Sequence, residues 1–181
     1  MLMVRASRCL DATIVRDCPI LCSVSELPPL EPLMRLAVEV GAITSLGATA
    51  VGERRLVPIT GGRFEGADAE GQHWRGVVLP GGADWQLLRA DGVLELDARY
   101  VLQDTRGSRV QVVSQGLRHG PPEVIAALAR GEAIDPALYY VRTALRFETG
   151  APHLQHLNRL IAFAVGAREP RRVLLSVFTV A

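Results

Sequence analysis

Short runs in which apolar and polar residues alternate, cut by glycine-bearing turns, recur along most of the chain and restrict it to antiparallel β architecture. Met34, Leu36, Val38 and Val40 alternate with Arg35, Ala37, Glu39 and Gly41, the two-residue period of a strand with one buried face. Similar runs predict strands over residues 53–60, 74–79, 85–89, 93–102, 109–116, 139–148, 159–165 and 172–180. Gly61-Gly62, Gly81-Gly82, Asp91-Gly92 and Arg106-Gly107 supply turns between them. This close spacing predicts a mainly β fold, a single antiparallel β-barrel of about eight to ten strands, rather than a parallel α/β sheet.

One helix interrupts the strands. It opens at Pro121-Pro122-Glu123, carries Val124, Ile125, Leu128 and Ala129 as its apolar stripe, and stops at Gly131. A shorter helical turn is expected over residues 152–158. Residues 1–29 lack a steady period and end in a Pro-rich stretch, so they are expected to form a poorly ordered extension to a barrel domain over residues 30–181. Asp11, Arg16 and Asp17 interrupt each early apolar stretch before a signal-peptide core could form, and no run reaches the length of a membrane span. A cytoplasmic location is the expectation.

Composition narrows the chemistry. At 181 residues and 49% apolar, the chain can bury a sizeable core. All 20 basic residues are arginine, which excludes lysine Schiff bases, pyridoxal phosphate attachment and lysine-dependent phosphate loops. Any cationic site must be a guanidinium, permanently charged and shaped to hold planar anions. A net charge of +1 gives no reason to expect nucleic acid or an anionic membrane as partner. Cys9, Cys18 and Cys22 lie in the extension, and Cys18 and Cys22 have no neighbouring histidine to complete a zinc site. His73, His119, His153 and His156 suggest no metal set, and nucleophile elbows and dinucleotide fingerprints are missing. Neither metal nor cofactor is therefore expected.

Charged residues within strands are the candidates for function. Glu95, Asp97 and Arg99 share one strand face, opposite Leu96, Ala98 and Tyr100; Arg142, Arg146 and Glu148 share another, opposite Thr143, Leu145 and Phe147. Parity alone allows two arrangements: a solvated outer face, the commoner case for antiparallel strands, or a barrel lumen where buried carboxylates acquire raised pKa values suited to proton transfer. Gly81-Gly82-Ala83-Asp84-Trp85-Gln86 is the densest segment. It is either a hairpin with a capping Asp84 and a packed Trp85, or a site with Asp84 as acid or base and Trp85 as a wall for a flat ligand. Asn158, the one asparagine of the chain, follows Leu157 near a helix end and could serve as a cap.

Several ordered motifs resemble the DUF3237 family, also called UPF0311. They are residues 57–66, residues 78–86, the stretch from Asp91-Gly92 to Leu96-Asp97-Ala98-Arg99-Tyr100, and Tyr140 with Arg142-Thr143 and Phe147-Glu148-Thr149, followed by Leu157-Asn158. The resemblance runs from about Leu30 to Val180, with departures at Val141, Leu145 and His156, where the family usually has an aromatic residue, a proline and a tryptophan. It implies a β-barrel of small bacterial and fungal proteins, some fungal members of which resemble cofactor-free cyclases of polyketide-type intermediates. It also favours a buried network of Asp84, Trp85, Asp97, Arg99, Arg142, Glu148 and Asn158 over a surface one.

Three functions follow as expectations. In the first, a cofactor-independent enzyme of cyclase, isomerase or lyase type uses Asp84 or Glu148 to move a proton, with Arg142 or Arg99 stabilising the oxyanion and Trp85, Asp97, Tyr140 and Asn158 contacting the substrate. In the second, a barrel carries or senses a small apolar or aromatic molecule without chemistry. In the third, the barrel is filled and purely structural. A homodimer is compatible with each.

Overall fold

The computed structural model describes residues 29–180. Ten strands form one antiparallel sheet: β1 (Leu30–Val40), β2 (Thr44–Thr49), β3 (Gly52–Ala67), β4 (His73–Val78), β5 (Gly82–Leu88), β6 (Leu94–Asp104), β7 (Arg109–His119), β8 (Tyr140–Glu148), β9 (Ala162–Glu169) and β10 (Arg172–Val180). Their order is β1-β10-β9-β8-β7-β6-β4-β3, and β3 pairs back onto β1. The sheet is thus an eight-stranded closed barrel, as its periodicity predicts. β2 lies outside the ring on the first part of β3, and β5 joins the first parts of β3 and β6, whereas β4 joins their later parts. The expected extension and the three cysteines lie outside the described residues, apart from Pro29.

Closure depends on the long strand β3, which the alternation reveals only as far as Thr60. Beyond it, Gly61 and Gly62 pair with Glu39 and Val38 of β1. Gly62 has φ near 137°, and a Cβ there would stand 2.2 Å from the Ala37 carbonyl oxygen. Only glycine lets the two backbones meet where the register shifts. β2 escapes sequence analysis because every residue of Thr-Ser-Leu-Gly-Ala-Thr is exposed, so burial imposes no alternation on it.

Inward-facing residues divide the barrel along its axis. At one end Leu102, Val110, Val112, Leu145 and Phe147 fill the interior, and Leu154 and Leu157 plug it from a 3-10 helical segment, Pro152–Arg159. Asn158 fastens that plug: its Oδ1 accepts from the Thr149 N–H at 2.8 Å and its Nδ2 donates to the Thr149 carbonyl at 2.9 Å. At the other end the same inward positions carry Ala98, Ser114 and Thr143, too small to fill the space. Helix α1 (Pro122–Ala129) lies against this end, where Leu128 packs with Tyr139 and Val141.

Leu145 is wholly buried, so Leu145→Ala should cost about 2–5 kcal/mol. Leu117→Ala, on the outer face one strand away, should stay within about 0.5 kcal/mol of wild type. Urea unfolding of the two variants measures both.

Candidate functional site

The unfilled end holds a cavity of about 160 Å³. Its apolar wall includes Val38, Val57, Ile59, Val141 and Leu175, and its polar lining comprises Arg55, Asp84, Gln86, Tyr100, Ser114, Thr143, Arg118 and Arg168. Strand register assembles this set. Val57 pairs with Asp84, Asp84 with Ala98, and Ala98 with Ser114, which makes one row across β3, β5, β6 and β7. Arg55 pairs with Gln86 in the adjacent row. Residues in such rows, and those two apart on one strand, face the same side of the sheet.

Asp84 is the carboxylate of the cavity. Its Oδ2 accepts from Gln86 Nε2 at 2.6 Å, and its Oδ1 accepts from the Asp97 backbone N–H at 3.0 Å. Burial pushes its carboxyl above the ordinary aspartate range, and those two hydrogen bonds and the Arg118 charge only partly oppose that shift. Tyr100, 3% exposed, has its phenol pushed up by burial and then by the Asp84 charge. Burial together with the Arg168 charge lowers the Arg118 guanidinium, Asp84 opposing; an arginine stays protonated regardless.

Three polar atoms of this lining are buried without a hydrogen-bond partner: Tyr100 Oη, Thr143 Oγ1 and Arg118 Nε. Burying such a group unpaired costs free energy, and all three atoms belong to residues that line this one cavity. The other two arginines are engaged. Arg55 forms a two-pronged ion pair with Glu53 at 3.0 and 2.8 Å, which with the Ser45 hydroxyl draws the Glu53 carboxyl down to about 2. Arg168 donates to the Pro170 and Arg172 carbonyls, and its backbone N–H donates to Tyr139 Oη.

The structure does not bring the residues singled out from sequence into one lumen. Asp84 faces inward, but its neighbour Trp85 necessarily points the other way and is 47% exposed. Along β8 buried and exposed positions alternate without a break, with Val141, Thr143, Leu145 and Phe147 inside and Tyr140, Arg142, Arg146 and Glu148 outside. Arg142 stacks over the Tyr140 ring at 5.0 Å and donates to the Val141 carbonyl. Asp97 and Arg99 lie on the outer face of β6, where Asp97 accepts from Gln115 Nε2; its backbone alone serves the cavity, through Asp84. Asn158 sits at the plugged end. The expected buried network is therefore divided by the pleat, since charged residues that share parity with Glu148 or Asp97 cannot share a face with Leu145 or Tyr100.

Sequence analysis missed Arg118, Gln86, Ser114 and Thr143 as a group. One signal was available in β7: Val110, Val112, Ser114, Gly116 and Arg118 form a single inward phase, so a hydroxyl and a guanidinium occur in the apolar register. Ending that strand at Gly116 removed the decisive residue.

A family model described as a protein of unknown function, DUF3237, matches residues 28–180. The chain belongs to the DUF3237 family. A UPF0311 protein of Rhodopseudomonas palustris is 39% identical over 155 residues, which cover 84% of this chain and 98% of that relative. Its crystal structure superposes with a TM-score of 0.81 at 37% identity, covering 87% of this chain and all of the other. A β-barrel-like protein of Acinetobacter baumannii gives a TM-score of 0.74 at 34% identity, covering 88% and 99% of the two chains. An enzyme from Penicillium herquei gives 0.64 at 20% identity over 88% and 98%, a similarity of fold. This DUF3237 chain thus has the barrel that its motifs imply. Among the described residues no group of three or more histidine, cysteine or acidic side chains is placed to hold a metal, and no helix is long and apolar enough to cross a membrane.

Because the folded state raises the Asp84 pKa, it holds that proton more tightly than the unfolded chain does. Stability should therefore fall as pH climbs from the ordinary carboxylate range through the raised value, then level off. Asp84→Asn should remove this loss: its Tm should exceed that of wild type at pH 8, with the difference narrowing by pH 4. Thermal unfolding followed by circular dichroism tests it, and a gap of equal size at both pH values would contradict the assignment.

Proposed function

We propose that this DUF3237 protein is a cofactor-independent acid/base enzyme whose substrate, a small molecule with an apolar body, enters the open end of the barrel. The observation that carries the reading is Asp84 itself, a carboxylate of raised pKa in a cavity whose lining residues include three with unpartnered polar atoms. A carboxyl titrating closer to neutrality is a better proton shuttle than an ordinary aspartate. Gln86 and the Asp97 N–H hold both of its oxygens in fixed positions. The ionised form takes a proton from carbon or oxygen of the substrate and returns it at another position. Negative charge that develops on a carbonyl oxygen is met by a lining whose three guanidinium groups, Arg55, Arg118 and Arg168, outnumber its one carboxylate. The reaction class is isomerisation, cyclisation or elimination alpha to a carbonyl. That an enzyme of Penicillium herquei has this fold agrees with catalysis in such a barrel.

A carrier with the same pocket is the second reading, favoured by the apolar majority of the lining. Deuterium uptake separates the two. Incubated in D2O with a panel of enolisable aromatic ketones and β-diketones, the wild-type protein should accelerate exchange at the carbon alpha to the carbonyl. Asp84→Asn should lower that rate at least about 100-fold, while Glu148→Gln, on the outer face, should leave it unchanged. Binding with no exchange in any compound would establish the carrier instead.

A further inference from the structure

Arg118 is the one cavity guanidinium whose Nε is buried without a hydrogen-bond partner. Arg55 is matched by Glu53, and Arg168 is spent on the carbonyls of the β9–β10 turn. Around the cavity, three guanidinium groups face one lining carboxylate, Asp84; even with Glu53 counted against Arg55, positive charge is in excess. A guanidinium in such surroundings gains most from a planar anion that engages two of its N–H groups at once. Tyr100 Oη and Thr143 Oγ1 add two hydroxyl donors with no partner inside the protein.

Size and wall chemistry define the rest of the ligand. A cavity of about 160 Å³ is close to the engineered apolar cavity of about 150 Å³ that accommodates benzene. Valine, isoleucine and leucine form most of its apolar wall, so the body of the ligand is one apolar ring or a branched chain of that bulk. We infer that the cavity of this DUF3237 protein selects small apolar carboxylates, with the carboxylate on Arg118, Tyr100 and Thr143 and the apolar body against Val57, Ile59 and Val141. This rests on the reading of the cavity as a ligand site and adds the substrate class. The inward direction of Arg118 makes the class specific: Arg142, the arginine a sequence motif singles out, is on the outer face and takes no part.

The test compares matched probes on the full chain by isothermal titration calorimetry: benzoate, cyclohexanecarboxylate, benzamide, benzyl alcohol and inorganic phosphate. Both carboxylates should bind at least tenfold more tightly than benzamide or benzyl alcohol, and phosphate should not compete with them. Arg118→Gln should erase that advantage, whereas Arg142→Gln should keep it. The methyl resonances of Ala98 and Thr143 should shift on addition of benzoate, which locates the site. Should Arg118→Gln fail to fold, Tyr100→Phe and Thr143→Val each remove one donor and should weaken benzoate binding several-fold without affecting benzamide. Neutral probes binding as tightly as benzoate, or phosphate displacing it, would overturn the carboxylate assignment and leave the pocket standing. If no probe binds or shifts those methyls, the cavity reading falls as well.

Discussion

The pairing of β1 with β3 is the contact on which the rest of the molecule depends. An open sheet of these strands would have two wettable faces and two edges; closing it gives every strand of the ring one face turned away from bulk water. The consequence is severe for polar residues. Once the ring is shut, a side chain in the inward phase is either packed, paired or exposed to whatever occupies the lumen. Gly62 makes closure possible by allowing the backbones of β1 and β3 to approach, so a residue without a side chain governs the environment of Asp84 and Tyr100 on other strands.

Within that ring, a difference in side-chain volume separates core from cavity. The inward positions of β6, β7 and β8 run from Leu102, Val110 and Phe147 at one end to Ala98, Ser114 and Thr143 toward the other. Large residues interdigitate and exclude water; small ones leave a void into which the longer side chains of neighbouring strands project polar atoms. Asp84, Arg118 and Tyr100 thus occupy a low-dielectric setting in which a missing partner is costly. A ligand of the proposed class would supply the missing partners.

Much of the fold was legible along the chain because a half-buried strand writes its burial into a period of two. β1, β6, β8 and β10 are such strands, and α1 announces itself with Pro122 and Gly131. The failures have equally physical causes. β2 is exposed throughout and leaves no period, and the far half of β3 continues through two glycines that read as a turn. For the site, alternation correctly grouped Arg142 with Glu148 and Asp97 with Arg99, yet both groups lie on the outside of the barrel. Trp85 drew attention as a large aromatic beside an acid; adjacent residues on a strand point in opposite directions, so only one of that pair could enter the lumen.

The sequence by itself determined the class of fold, the family and the absence of any lysine chemistry. Periodicity sorts residues into two faces, a property local to each strand, and so these features could be read without coordinates. Which face is inside, and which residues meet across it, was decided by tertiary structure alone. Arg118, Asp84, Tyr100 and Thr143 come from four different strands, and their convergence depends on inter-strand register and barrel closure, quantities to which distant parts of the chain contribute together.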